Sequence, residues 1–310
     1  MRRVRFLWSD WPVHQSDAPA PSDTTDPLEL RVVAEFAATR AAAHIRARRP
    51  QVFGPRADAS PNAGTVAVQA KSTPTDPVTV VDTEAEHEIR QILAELRPSD
   101  AVLGEEQGGS ASVDGVLWVV DPIDGTVNFL YGVPAYSVSV AAQIDGRSVA
   151  GAVVDVAGEV TYSAARGHGA TRTDAAGNVT SLRCNPVDSV AMALVATGFG
   201  YGSARRAAQG RVVAELLPRV RDIRRIGSAA LDLCMVASGL VDAHYEHGLN
   251  TWDWAAGSLI ATEAGAHIMV PDAATPGAVG EIVVAAAPGI AQEFREVLDA
   301  AGALAPIPEG

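Results

Sequence analysis

The feature that most constrains this chain is the run Val116-Leu117-Trp118-Val119-Val120-Asp121. Five mostly aliphatic residues lead straight into a carboxylate. A strand buried on both faces reads this way, with its acid emerging at the C-terminal end. Pro122 is expected to stop the ladder there, because it has no N–H to donate. Asp124, Gly125 and Thr126 follow. Gly125 permits a tight turn, and the N–H groups after it can point at an anion. Two acids and an amide nest make a poor packing motif. They make a good site for divalent cations that hold a phosphate against the backbone.

Composition narrows the partners. The 310 residues carry a formal net charge of −13. An acidic surface repels nucleic acid and anionic lipid, so neither is expected as a main partner. No apolar run approaches the roughly 20 residues that span a membrane. The opening Met1 to Gln15 lacks the continuous apolar core of a signal peptide. Cys184 and Cys234 form no CxxC motif, so reduced thiols and a cytoplasmic location are expected. Lys71 is the only lysine, every other basic side chain being Arg. Drift of codons in a GC-rich genome explains that blandly. A compact ammonium kept at one place also suits a functional need, because Lys and Arg differ in geometry and hydration.

Along the chain, residues 1–25 are rich in Ser, Asp, Pro and Thr and read as a disordered tail. Asp26 suits an N-cap, Pro27 the first helical position, and Glu29 completes a capping-box pattern. Val33, Phe36, Ala37, Ala41, His44 and Ile45 then share a helical face. Residues 50–70 read as a loop, and Val78 to Val81 as a short strand. Asp82 sits where a helix should start, either as an N-cap or as an acid near a cation. Ala101-Val102-Leu103 delivers Gly104-Glu105-Glu106 in the manner of the Val120-to-Asp121 step. From Tyr136 to about Arg183, short β runs and the turn signals Asp145-Gly146 and Gly177-Asn178 predict an antiparallel meander. After Pro186, strands at Leu194 to Thr197 and Val241 to Tyr245 alternate with helices at about 203–217, 228–238 and 252–264. The expected class is α/β: one domain over 26–310, an α+β half to about 185 and an α/β half beyond it, sharing a core.

A second acidic group lies in the later half. Tyr245-Glu246-His247 ends a strand, and Thr251-Trp252-Asp253-Trp254-Ala255-Ala256-Gly257 opens a helix. Asp253 falls in its first turn, where a carboxylate complements the helix dipole. The small residues behind it allow close approach to other backbone. Glu246 and Asp253 can therefore face one cleft. Arg224-Arg225-Ile226-Gly227-Ser228-Ala229 is a further strand-to-helix junction. It reads either as surface arginines with a capping Ser228 or as an amide turn whose arginine reaches a ligand. There is no GxSxG, no HExxH and no paired Cys/His spacing. Candidate ligands are oxygen donors, which selects Mg²⁺ first and Mn²⁺ second.

Two signatures together, Trp118 through Phe129 and Trp252-Asp253-Trp254-Ala255-Ala256-Gly257, resemble the inositol monophosphatase family of lithium-sensitive, magnesium-dependent phosphatases. Gly104-Glu105-Glu106 and the stretch Lys71 through Asp82 fit its upstream elements in order and spacing. Gly227 through Val236 is similar to its actinobacterial inositol-1-monophosphatase branch. The resemblance covers about residues 28–300 and implies a layered αβαβα sandwich of the sugar-phosphatase type. It implies a first metal at Glu105, Asp121 and the Ile123 carbonyl, and a second at Asp121, Asp124 and Asp253. A third, weaker metal would lean on Glu105 through waters. Phosphate would rest on the Gly125 and Thr126 amides. Ring hydroxyls would meet Glu246, Asp253 and the backbone near Ala229, and Arg224 matches a position that the family associates with substrate binding or with its surroundings. A homodimer is also implied.

The expected reaction is hydrolysis of myo-inositol 1-phosphate by a metal-activated water, with no phospho-enzyme. Glu105 and Thr126 would orient that water, and Lys71 and Asp82 would hold the network beside it. Sister activities on histidinol phosphate, fructose 1,6-bisphosphate or a 3′-phosphorylated nucleotide share the same acids. A carboxylate at Glu246 suits vicinal hydroxyls better than a second phosphate. A non-catalytic regulatory protein is the alternative of another class, and it would be expected to have lost acids that this chain keeps.

Overall fold

The computed structural model describes residues 24–54, 68–70, 77–109 and 114–309. The expected tail lies outside them except for Thr24 and Thr25, and Lys71 lies outside them altogether.

Helix α1 (Pro27–Phe53) starts at the expected N-cap, Asp26, whose Oδ1 accepts from Leu28 N–H at 3.0 Å. It runs past Pro50, where the sequence suggests a loop. The ring of Phe53 lies edge-on to that of Phe129 at 5.6 Å, which gives the last turn a packing partner. Strands β1 (Val68–Ala70) and β2 (Pro77–Thr79) pair antiparallel. Helix α2 (Val80–Leu96) begins two residues earlier than expected. Thr79 is its N-cap, and Asp82 is the acid of a capping box rather than the cap itself.

Strands β3 (Ala101–Gly104) and β4 (Leu117–Asp124) are parallel, and helix α3 (Thr126–Tyr131) follows. Then comes the expected meander: β5 (Ser137–Ile144), β6 (Arg147–Asp155), β7 (Val160–Ala165), β8 (Ala170–Thr173) and β9 (Val179–Ser181). With β3 and β4 they form one seven-stranded sheet in chain order. The β5–β6 turn falls on Asp145-Gly146.

The later half contains β10 (Leu194–Thr197), α4 (Ser203–Leu216), β11 (Asp222–Arg224), α5 (Ala229–Ala237), β12 (Ala243–His247) and α6 (Thr251–Glu263). After these come β13 (His267–Met269), β14 (Ile282–Ala286) and α7 (Ala291–Ala300). Its sheet has the order β11-β10-β12-β14-β13. The pairs at β10 are parallel, and those at β14 are antiparallel. The sheet is therefore mixed, which strand–helix alternation alone does not reveal.

β4 is buried at every position, and its alternation sorts the layers. Trp118 and Val120 face a cluster with α1 and α2, while Leu117 and Val119 face a cluster that holds α5 and α6. That second cluster continues into the five-stranded sheet and takes in Val212 and Leu216 of α4 and Phe294 and Leu298 of α7. The order is helices, sheet, helices, sheet, helices. The halves read from the sequence share this second cluster, and α1 and α2 build a separate one behind the larger sheet.

The middle helices must lie close together. At Gly257 of α6, a Cβ would stand 2.8 Å from Leu233 Cβ of α5 and 3.3 Å from the Ala230 carbonyl oxygen. Gly257→Val is expected to lower folding stability by about 1–3 kcal/mol through overpacking, measured by urea denaturation. An unchanged midpoint would show that the layer yields at no cost.

Candidate metal centre and substrate cleft

The pairing of β4 with β5 places two acids on one face. Asp121 pairs with Ser139 and Asp124 with Ser137, so Pro122 and Ile123 oppose Val138 alone. This is a β-bulge. In a regular strand, residues three apart point to opposite faces. The extra residue reverses that, and both acids turn toward the α5–α6 layer. Pro122 therefore bends the strand and does not end it. β3 has already stopped opposite Val120, so the missing N–H leaves no ladder bond unmade on that side.

Helix α6 supplies the third acid. Asn250 N–H donates to Asp253 Oδ2 at 2.7 Å in a capping box. Ligand oxygens of Asp121, Asp124 and Asp253 lie within 4.8 Å of one another. Glu105 lines the same cleft outside this close group, yet its charge acts on Asp253. Glu105 sits on a turn closed by Glu86, which is fully buried. Glu86 accepts from the Glu106 and Gln107 amides at 2.7 and 3.1 Å and from Arg90 Nε at 2.8 Å. Nothing in the sequence marks Glu86 except its i,i+4 spacing to Arg90.

The cleft, about 410 Å³, is also lined by Ile123, Gly125, Thr126, Arg225, Ala229 and Glu246. Gly125 has φ of 95°, and a Cβ there would stand 2.9 Å from the Gly227 carbonyl oxygen. The Thr126 hydroxyl is 3.1 Å from Asp82 Oδ1 and 3.0 Å from the Ile123 carbonyl oxygen. It has one proton, so it donates to one acceptor at a time. Asp82 is further held by the backbone N–H and hydroxyl of Thr79.

Ser228 does more than cap α5. It accepts from Leu231 N–H at 3.3 Å and donates to Asp124 Oδ2 at 2.5 Å, where Ala230 N–H also donates at 2.8 Å. The Ala229 N–H faces the same carboxylate. Burial raises the pKa of Asp124 even so, against these donors and Arg225. Burial also pushes Asp253 well above the usual carboxylate range, and the charges of Glu105 and Asp124 add to it. Buried oxygen donors that repel one another fit a hard divalent cation, which removes the repulsion and satisfies the donors.

Arg224 does not line the cleft. It is exposed and bonds Asp222 at 2.6 Å. Alternation along β11 puts those two residues on one face, and the next residue, Arg225, turns inward. The Arg225 guanidinium lies 5.9 Å from the Phe199 ring centroid. The Asp222-Ile223-Arg224 pattern carried this signal. Asn128 Nδ2 bonds the Ala135 and Ile226 carbonyls at 2.7 and 2.9 Å, tying this junction to the turn after β4.

The sequence pattern of the inositol monophosphatase family matches residues 26–300. The chain is 58% identical over 287 residues to the inositol-1-monophosphatase of Mycobacterium leprae, covering 91% of this chain and 97% of that one. The solved structure of Mycobacterium tuberculosis SuhB aligns with a TM-score of 0.76 at 50% identity, over 91% of this chain and all 100% of the other. An inositol monophosphatase (IMPase) of Thermotoga maritima aligns at 0.72 and 26% identity, over 86% and 95%. With the layered fold and the acid group of β4 and α6 in place, these likenesses show that the chain belongs to the inositol monophosphatase family.

Proposed function

We infer that this chain is a magnesium-dependent phosphomonoesterase that releases phosphate from myo-inositol 1-phosphate. The observation that carries the reading is the close group of Asp121, Asp124 and Asp253 beside the Gly125-Thr126 turn. Asp121, Asp124, Asp253, Glu105 and the Ile123 carbonyl would hold two or three Mg²⁺. Bound there, Mg²⁺ would supply charge neutralisation for the phosphoryl group and acidify water for in-line attack. The all-oxygen donor set favours Mg²⁺, with Mn²⁺ as its substitute.

The chain's own groups do the rest. The Gly125 and Thr126 amides receive phosphate oxygens. Thr126, with Asp82 as acceptor for its proton, presents its hydroxyl oxygen to the attacking water as an acceptor. Glu105, on a turn fixed by Glu86, orients that water from the other side. Lys71 is assigned to the same water network. Glu246 and Asp253 accept hydrogen bonds from ring hydroxyls, and Ala229 closes the floor. Arg225 takes the place first given to Arg224 and offers the cleft a guanidinium. The setting is a homodimer, implied by the family resemblance, in the cytoplasm, expected from the cysteine usage.

Phosphate release from a panel of esters tests the substrate. The highest kcat/KM is expected for inositol 1-phosphate, ahead of histidinol phosphate, fructose 1,6-bisphosphate and 3′-phosphoadenosine. Asp121→Asn is expected to lose far more than tenfold in kcat, because a shared anionic ligand is gone. Near-normal turnover of that variant with Mg²⁺ would overturn the assignment.

Arg225→Ala is expected to raise KM for inositol 1-phosphate several-fold, with Arg224→Ala unchanged. Steady-state kinetics that show the reverse would restore Arg224.

A pH dependence follows for the protein stripped of metal. Burial, with Asp124 adding to it, raises the Glu246 pKa from 4.5 to about 8, against the pull of Arg225. Asp124 and Asp253 shift the same way. A pKa raised on folding stabilises at low pH, and that contribution is lost as pH climbs through the folded value. The metal-free Tm should therefore fall between about pH 5 and 8, and Glu246→Gln should flatten the fall. Scanning fluorimetry in chelator would contradict this if Tm held level or rose.

A further inference from the structure

A second cluster lies under the cleft wall. β12 alternates, so His244 and Glu246 point to the same side, into the layer where α5 packs. Tyr245 points the other way, its ring 6.5 Å from that of Phe294. Asp232 of α5 meets His244 and Glu246, and one donor atom from each of the three lies within 4.8 Å of the others. Asp232 is 1% exposed and His244 not at all.

Three polar atoms here are left unsatisfied. Asp232 Oδ1 and both ring nitrogens of His244 have no hydrogen-bond partner among the described residues. His244 Nδ1 stands 3.6 Å from Asp232 Oδ2. That is too long for a hydrogen bond. Two donors on one tetrahedral ion, each bonded at about 2.0–2.2 Å, stand roughly 3.4 Å apart.

We propose that Asp232, His244 and Glu246 form a separate binding site for a divalent transition-metal ion of the zinc type. One imidazole with two carboxylates is a donor set suited to zinc, where the Asp121 group offers oxygen alone. Asp232 and His244 close the site from inside the layer. Glu246 lines the cleft and gives the ion its way in. The two sites share no ligand. Zinc occupancy would also withdraw Glu246 from ring hydroxyls. That consequence rests on the proposed function, whereas the zinc site does not.

The test is zinc binding to the full chain in saturating Mg²⁺, followed by titration calorimetry and by metal content after gel filtration. One zinc per chain is expected. His244→Phe keeps the bulk of the ring without a ligand atom and should lower zinc affinity by more than about tenfold. Asp232→Asn should do the same and serves if His244→Phe does not fold. Asp253→Asn should leave zinc affinity within about threefold, while Mg²⁺ affinity drops. Wild-type zinc affinity in a folded His244→Phe or Asp232→Asn protein would overturn the proposal. So would loss of the zinc in Asp253→Asn.

Discussion

Three carboxylates that repel one another are pressed together where a strand of one sheet meets the helix layer beneath it. The surrounding backbone is arranged to hold them there. Asp124 takes donors from Ser228 and Ala230 at the start of α5, and Asp253 takes the Asn250 amide at the start of α6. Asp82 is fixed by Thr79 at the start of α2. Asp124, Asp253 and Asp82 are thus each tied to a helix N-terminus, where amide donors and the helix dipole favour negative charge. Those donors do not cancel the cost of burial, since Asp124 and Asp253 still shift upward. A cation bound among them would supply the balance of the stabilisation.

How much of this was legible in the chain differs from residue to residue. The aliphatic run into Asp121 announced a strand buried on both faces, and β4 is that strand. The meander was legible because Asp145-Gly146 and Gly177-Asn178 mark turns, and those lie just before β6 and β9. Pro122 misled, because proline breaks a regular ladder, and only pairing with β5 shows two residues opposing one. Which of the two adjacent arginines lines the cleft was not legible, because they look alike until the face of β11 is known. Glu86 was invisible, because its partners are backbone amides twenty residues on, and contacts of that kind leave no pattern in the chain. The antiparallel β13 and β14 escaped for a related reason: strand direction is set by tertiary pairing, not by composition.

The two polar clusters beside the cleft differ in donor chemistry. One is all carboxylate and lines the cleft beside the Gly125-Thr126 turn; the other contains His244 and is closed on its inner side. Hard and borderline cations sort by such differences more than by raw affinity. Glu246 stands between them, on the wall of one and in the ligand set of the other.

Asp121 and Asp124 belong to the large sheet, and Asp253 to the helix layer below it. An ion coordinated by all three would act as a rivet between layers that otherwise meet along this seam through apolar contacts and a few hydrogen bonds, those of Ser228 and Ala230 to Asp124 among them. Ligation would then register mechanically: sheet and helices should breathe together when the rivet is in and separately when it is drawn. Amide exchange along β4 and α6 would slow in concert on loading, since a ligand that binds only the closed arrangement holds it closed by mass action.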